Sequence, residues 1–167
     1  MLVLGIDPGT AITGFGLVRE EDDGELVMIA CGAITTPASQ PMSERLATIY
    51  ERLSALIAEH QPQMVAVEQI FFSRNVRTAM AVGQAKGVVL LAAAHAELSV
   101  HEYTPLQVKQ AIVGYGRAEK AQVQEMVRLV LRLDTAPQPD DAADAVAVAV
   151  CHLHSARLLD LLASQEE

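Results

Sequence analysis

The sequence predicts a mixed α/β domain: a five-stranded sheet whose first three strands run antiparallel, flanked by helices. Three observations carry this. Apolar runs joined by short polar turns fill the first 34 residues, and from residue 43 onward helical and strand periodicities alternate. The last helix is almost wholly apolar from Ala142 to Cys151, so it has to be buried against the sheet. At 167 residues, 51% of them apolar, the chain suits one domain over residues 1–160 and a short acidic C-terminal tail over 161–167.

The first strand is LVLGID (residues 2–7), and TGFGLVRE (13–20) follows it after a Pro-Gly turn. EDDG (21–24) turns the chain into ELVMIACGAI (25–34), completing an antiparallel meander. From Ser43, the expected N-cap, Leu46, Ile49, Tyr50, Leu53, Leu56 and Ile57 recur at helical spacing until Pro62 stops the pattern. MVAVEQI (64–70) reads as the fourth strand, residues 76–97 as a helix and SVHEY (99–103) as the fifth strand. Thr104-Pro105 caps a short helix to Val113; further helices cover 118–132 and 140–163.

The net charge of −9 argues against bulk electrostatic coating of nucleic acid, but the charge is unevenly spread. Residues 74–132 hold 8 of the 12 basic side chains and only 4 of the 21 acidic ones, enough for a local basic surface or for a few solvated helix faces. Cys31 and Cys151 lie far apart and form no CxxC pair, so neither a disulfide framework nor a thiolate zinc site is indicated. The N-terminus reaches Asp7 too early for a secretory signal, and the longest wholly apolar runs (88–94, 145–151) are too short to span a bilayer. A cytoplasmic protein without membrane association is expected.

Four acids interrupt apolar segments: Asp7 at the end of the first strand, Glu68 inside the fourth, and Asp141 and Asp144 in the first turns of the last helix. An unpaired buried carboxylate costs several kcal/mol, by order of magnitude, so such groups occur where a cation or donor compensates. Asp141 and Asp144 are i and i+3, neighbours on one helical face. If the two strands lie side by side, all four acids reach one end of the sheet. Hard oxygen ligands without Cys or a matching His set favour Mg²⁺ or Mn²⁺, and a four-carboxylate cup suits two ions about 4 Å apart for in-line attack of water on a phosphodiester. The plainer alternatives are a turn residue for Asp7, an outward edge-strand charge for Glu68, and helix-start capping for Asp140.

The blocks LGIDPGTAITGFGLV, VAVEQIFFSRN, QVKQAIVGYGRAEKAQVQEMV and PQPDDAADAVAVA, in that order, resemble the RuvC family of Holliday-junction resolvases (crossover junction endodeoxyribonucleases) over about residues 2–155. GIDPGT alone is weak, because sugar kinases and actin-like ATPases begin similarly. A phosphotransferase of that kind is one alternative, and a non-catalytic junction-binding module another. The resemblance implies a ribonuclease-H-like fold, a homodimer, paired incisions at four-way junction DNA, and cooperation with the RuvA and RuvB branch-migration proteins. By position, Asp7, Glu68, Asp141 and Asp144 match the family's metal-binding acids, while Lys109 and Lys120 match its basic residues near the scissile phosphate.

The resemblance further implies that Phe71 stacks on an unpaired base at the junction point, a sequence-tolerant role for an aromatic ring. Phe72 is a second candidate; core packing is the alternative for either ring. Arg74, Asn75 and Arg77 follow in a polar stretch suited to phosphate contacts, and Arg117 adds a cation near Lys120. The helix over 76–97 carries Gly83, Gly87 and many alanines, with an apolar run (VVLLAAA) that can serve its own sheet and a two-fold interface. His152 and His154, i and i+2, cannot face one side of a helix and are read as structural. The acidic end ASQEE departs from some relatives that finish in a basic tail, which throws DNA binding onto the central cations, metal ions in the cup and partner proteins.

Overall fold

The computed structural model describes residues 1–69 and 76–163, the last seven by their backbone. Its elements are β1 (Leu2–Asp7), β2 (Ile12–Glu20), β3 (Leu26–Thr35), α1 (Met42–His60), β4 (Met64–Glu68), α2 (Val76–His95), β5 (Ser99–Tyr103), α3 (Pro105–Val113), α4 (Lys120–Val130) and α5 (Asp140–Ala163). The strands form one sheet in the order β3-β2-β1-β4-β5. β1, β2 and β3 pair antiparallel, whereas β4 is parallel to β1 and β5 to β4. The mixed sheet with its antiparallel meander is as the sequence predicts.

Strand alternation sorts the core into two layers. Leu4 and Ile6 of β1 join Val65 and Val67 of β4 in the layer that contacts α1 and α2. Val3 and Ala66 point the other way, into the layer built by α3, α4 and α5. By the same period of two, Asp7 and Glu68 project toward α5. Gly5 lies directly beneath Ala145 and Ala149, and Gly14 beneath the Asp141 carbonyl, so α5 sits closer to β1 and β2 than any side chain would permit.

Several boundaries differ from the sequence reading. α1 begins at Met42 with Pro41 as its N-cap residue, and Ser43 lies inside the first turn. The fixed proline φ (−56°) sets the helix entry, the Pro41 carbonyl accepts from the Glu44 and Arg45 amides, and the helix start has no side-chain cap bond. α2 stops at His95 because Glu97 adopts a left-handed conformation (φ 57°). α4 starts at Lys120, where Gln122 Oε1 accepts from the Glu119 amide at 2.8 Å. Thr104 caps α3 as expected, accepting from Gln107 N at 3.1 Å while Gln107 Oε1 accepts from Thr104 N at 2.8 Å.

By length and composition alone α2 also meets the requirement for crossing a bilayer. It lies along α1 and buries Ala85, Val89, Ala92 and Ala93, leaving Met80, Leu90 and Leu91 exposed.

Candidate active site

β1 and β4 run parallel at the centre of the sheet, and their register continues to Ile6 opposite Val67. Asp7 and Glu68 are the next residues on each strand. The first turns of α5 then lie above this strand end, because Gly14, the register partner of Asp7, lets the Asp141 backbone rest on the sheet. The turn after β1 is held by the buried Thr13, whose hydroxyl donates to the Gly9 carbonyl at 2.6 Å. Four acids distant in sequence thereby share one neighbourhood.

Their electrostatics show the crowding. Asp7 is pushed up to about 8, first by burial, then by the charge of Glu68 and their shared hydrogen bond, and further by Asp144 and Asp141. Burial also raises Glu68, although the hydrogen bond from Asp7 and the nearby Lys120 ammonium oppose that rise. At neutral pH the protein without bound cation therefore keeps a proton shared by this pair. Asp144 is compensated differently: its Oδ2 accepts from Lys120 Nζ at 2.8 Å. That bond holds Lys120 above its ordinary range.

Glu68, Asp144, Lys109 and Lys120 line one cleft of about 220 Å³, with Val108, Val123 and Ala147 among its apolar walls. Lys109 arrives from α3 and Lys120 from the start of α4, so two ammonium groups flank the acidic pair. Arg117 is exposed in the turn before α4. Arg77 lies in the first turn of α2 and, with Arg45, Thr10 and Gln84, lines a groove of about 730 Å³. Arg45 is a cation that the sequence reading missed; its Nε donates to Thr36 Oγ1 at 2.8 Å, and Thr36 in turn donates to the Thr10 carbonyl. Phe71, Phe72, Arg74 and Asn75 fall outside the described residues. His152 is buried, shares a 2.8 Å hydrogen bond with Tyr103 and is pushed down to about 4, chiefly by burial, a structural role as expected.

The donor set fits a hard divalent cation: four carboxylates, all oxygen, whose burial and mutual repulsion raise Asp7. No three Asp, Glu, His or Cys side chains among the described residues stand ready at coordinating geometry. One of the four carboxylates, Asp144, is directed toward the Lys120 ammonium group.

Residues 3–152 match the family described as RuvC, crossover junction endodeoxyribonuclease. The chain belongs to the RuvC family. The RuvC crossover junction endodeoxyribonuclease of Heliobacterium modesticaldum is 61% identical over 155 residues, covering 93% of this chain and 95% of that one. Among solved structures, Thermus thermophilus RuvC superposes with a TM-score of 0.89 at 41% identity, covering 95% of this chain and 96% of that one. A structure of T. thermophilus RuvC in complex with a Holliday junction substrate gives 0.87 at 38% identity, with the same coverage. The ribonuclease-H-like α/β fold expected from the sequence is thus the RuvC fold, and the opening GIDPGT belongs to a nuclease family rather than to a phosphotransferase.

Proposed function

We propose that this RuvC-family chain resolves Holliday junctions, cutting two strands of like polarity by hydrolysis supported by two Mg²⁺ or Mn²⁺ ions per site. One observation carries the reading: Asp7 and Glu68 project side by side from adjacent parallel strands toward the α5 turns that bear Asp141 and Asp144, with Lys120 at the rim. Asp7, Glu68, Asp141 and Asp144 would hold the ions. Bound there, divalent ions would supply acidification of an attacking water and neutralisation of the leaving oxygen. The scissile P–O3′ bond breaks as the new P–O bond forms, leaving a 5′-phosphate and a ligatable 3′-hydroxyl.

Lys120 has a separate task. With its ammonium at the cleft rim it offsets charge growing on the non-bridging phosphate oxygens, and Lys109 lines the same cleft. Replacing Lys120 with Ala is expected to slow single-turnover incision about a hundredfold while junction affinity changes less than about threefold. A loss confined to affinity would contradict that role. Phe71, Phe72, Arg74, Asn75, Arg77 and Arg117 complete the proposed DNA contacts, Phe71 as the ring that stacks at the crossover.

A homodimer presents two such sites to symmetry-related strands. Its support is the outer side of α2, where Met80, Leu90 and Leu91 are exposed and a Cβ on Gly83 or Gly87 would meet no atom within 4 Å. The free thiols of Cys31 and Cys151 suit a reducing cytoplasm, and RuvA and RuvB are the partners that the family resemblance suggests.

The deciding experiment compares a synthetic four-way junction with linear duplex in Mg²⁺, Mn²⁺ and chelator. Paired, ligatable nicks in the junction alone, lost on chelation, are expected. Binding without incision in either metal would favour a non-catalytic module.

A further inference from the structure

Asp140 stands beside the acidic cup without being one of its four proposed ligands. Asp140 and Asp144 are i and i+4 on α5, one turn apart on the same face. Lys120 reaches both from the start of α4: its Nζ is 2.8 Å from Asp144 Oδ2 and 3.6 Å from Asp140 Oδ2. Gln124, one turn further along α4, donates from Nε2 to Asp140 Oδ1 at 3.2 Å. Asp140 is therefore turned toward α4 and already shares the ammonium group that Asp144 holds most closely.

A divalent cation and an ammonium group compete for Asp144. When Asp144 turns to the ion, Lys120 gives up its shortest bond, and a lysine side chain without an anchor disperses over many rotamers. A second carboxylate within reach, outside the cup, removes that loss. We propose that Asp140 is a positioning residue that keeps the Lys120 ammonium at the rim of the cup when Asp144 engages a divalent ion. The exchange is an intrahelical hand-over between carboxylates one turn apart, and it makes the cup easier to load as well as keeping Lys120 where the substrate phosphate comes. This deepens the metal-dependent reading above and rests on it.

The test needs no DNA. Mn²⁺ binding to the full-length chain is followed by the ion's EPR signal. Asp140→Asn is expected to weaken binding about fivefold, and Lys120→Met to tighten it about threefold by removing the competitor. In the Lys120→Met background, Asp140→Asn is expected to change affinity by less than about twofold, because the exposed carboxylate then acts only through screening water. Asp140→Glu restores binding to near wild type. With diamagnetic Mg²⁺, the Lys120 ζ-ammonium NMR signal persists in the wild type and is lost to solvent exchange in Asp140→Asn, a change that a purely helix-capping role would not produce. Equal losses from Asp140→Asn in both backgrounds would overturn this proposal alone; no saturable Mn²⁺ site in the wild-type chain would overturn the metal-dependent reading with it.

Discussion

Asp7→Asn abolishes junction incision, by on the order of a thousandfold in single-turnover rate, while making the metal-free protein more stable at neutral pH. Both outcomes come from one carboxyl group. In the folded chain Asp7 titrates near 8, against an ordinary value of 3.8, so the native state keeps a proton that the unfolded chain has released. The stabilisation from that retained proton is fully present below about pH 4 and is lost as pH rises toward 8. Its slope is at most about 1.4 kcal/mol per pH unit. An amide cannot ionise and still donates to Glu68, so the advantage of the variant over wild type grows from pH 4 to 8 and then levels. Divalent ions reverse the ranking: loading the cup expels the Asp7 proton and raises the wild-type melting temperature, whereas the variant, missing one ligand, gains little. Melting curves at several pH values with and without Mg²⁺, alongside incision rates, check all of this. Unchanged incision would remove Asp7 from the chemistry, and parallel pH profiles for the two proteins would remove its shared proton.

Much of this site is legible in the residues because acids inside apolar strands have few structural explanations. Asp7 and Glu68 each end a run whose successive residues are buried in opposite layers, and the period of two then fixes that both face the layer of α5 once their strands are neighbours. That adjacency is what the chain alone leaves open, since β4 joins β1 only after the long excursion through β2, β3 and α1. Lys109 and Lys120 show the same limit: a lysine near a capped helix start looks solvated until α3 and α4 fold against α5 and bring both ammonium groups to one cleft. Asp140 and Ser43 expose a different one. Helix-start residues invite a local capping explanation, but Asp140 faces Lys120 and Gln124 across an interhelical gap, and Ser43 is superseded by the preceding proline. Arg45 left no motif, because its place depends on the hydroxyl of Thr36 and the carbonyl of Thr10 meeting beside α1.

The glycines of β1 and β2 carried a signal in plain view, since strand-interior glycine marks a close approach of another backbone. Gly14→Ala makes the consequence measurable. A Cβ at this buried position would overlap the carbonyl of Asp141, and that neighbour is helix backbone, which has no rotamer to change. Relief requires α5 to lift from β2 at the end that bears the acids, directly opposite Asp7 in the strand register. Overpacking against backbone belongs at the upper end of the usual range, about 3 kcal/mol, or roughly 10 °C in melting temperature for a domain of this size. The same displacement withdraws Asp141 and Asp144 from Asp7 and Glu68, so Mn²⁺ affinity is expected to fall by about tenfold or more and incision with it. As those two charges recede, Asp7 titrates nearer its ordinary range, and the total stability lost between pH 4 and 8 is smaller than in the wild type. Wild-type stability and wild-type Mn²⁺ affinity in Gly14→Ala would mean that the helix start does not rest on this glycine, and that the two carboxylates of α5 are placed by something other than its contact with the sheet.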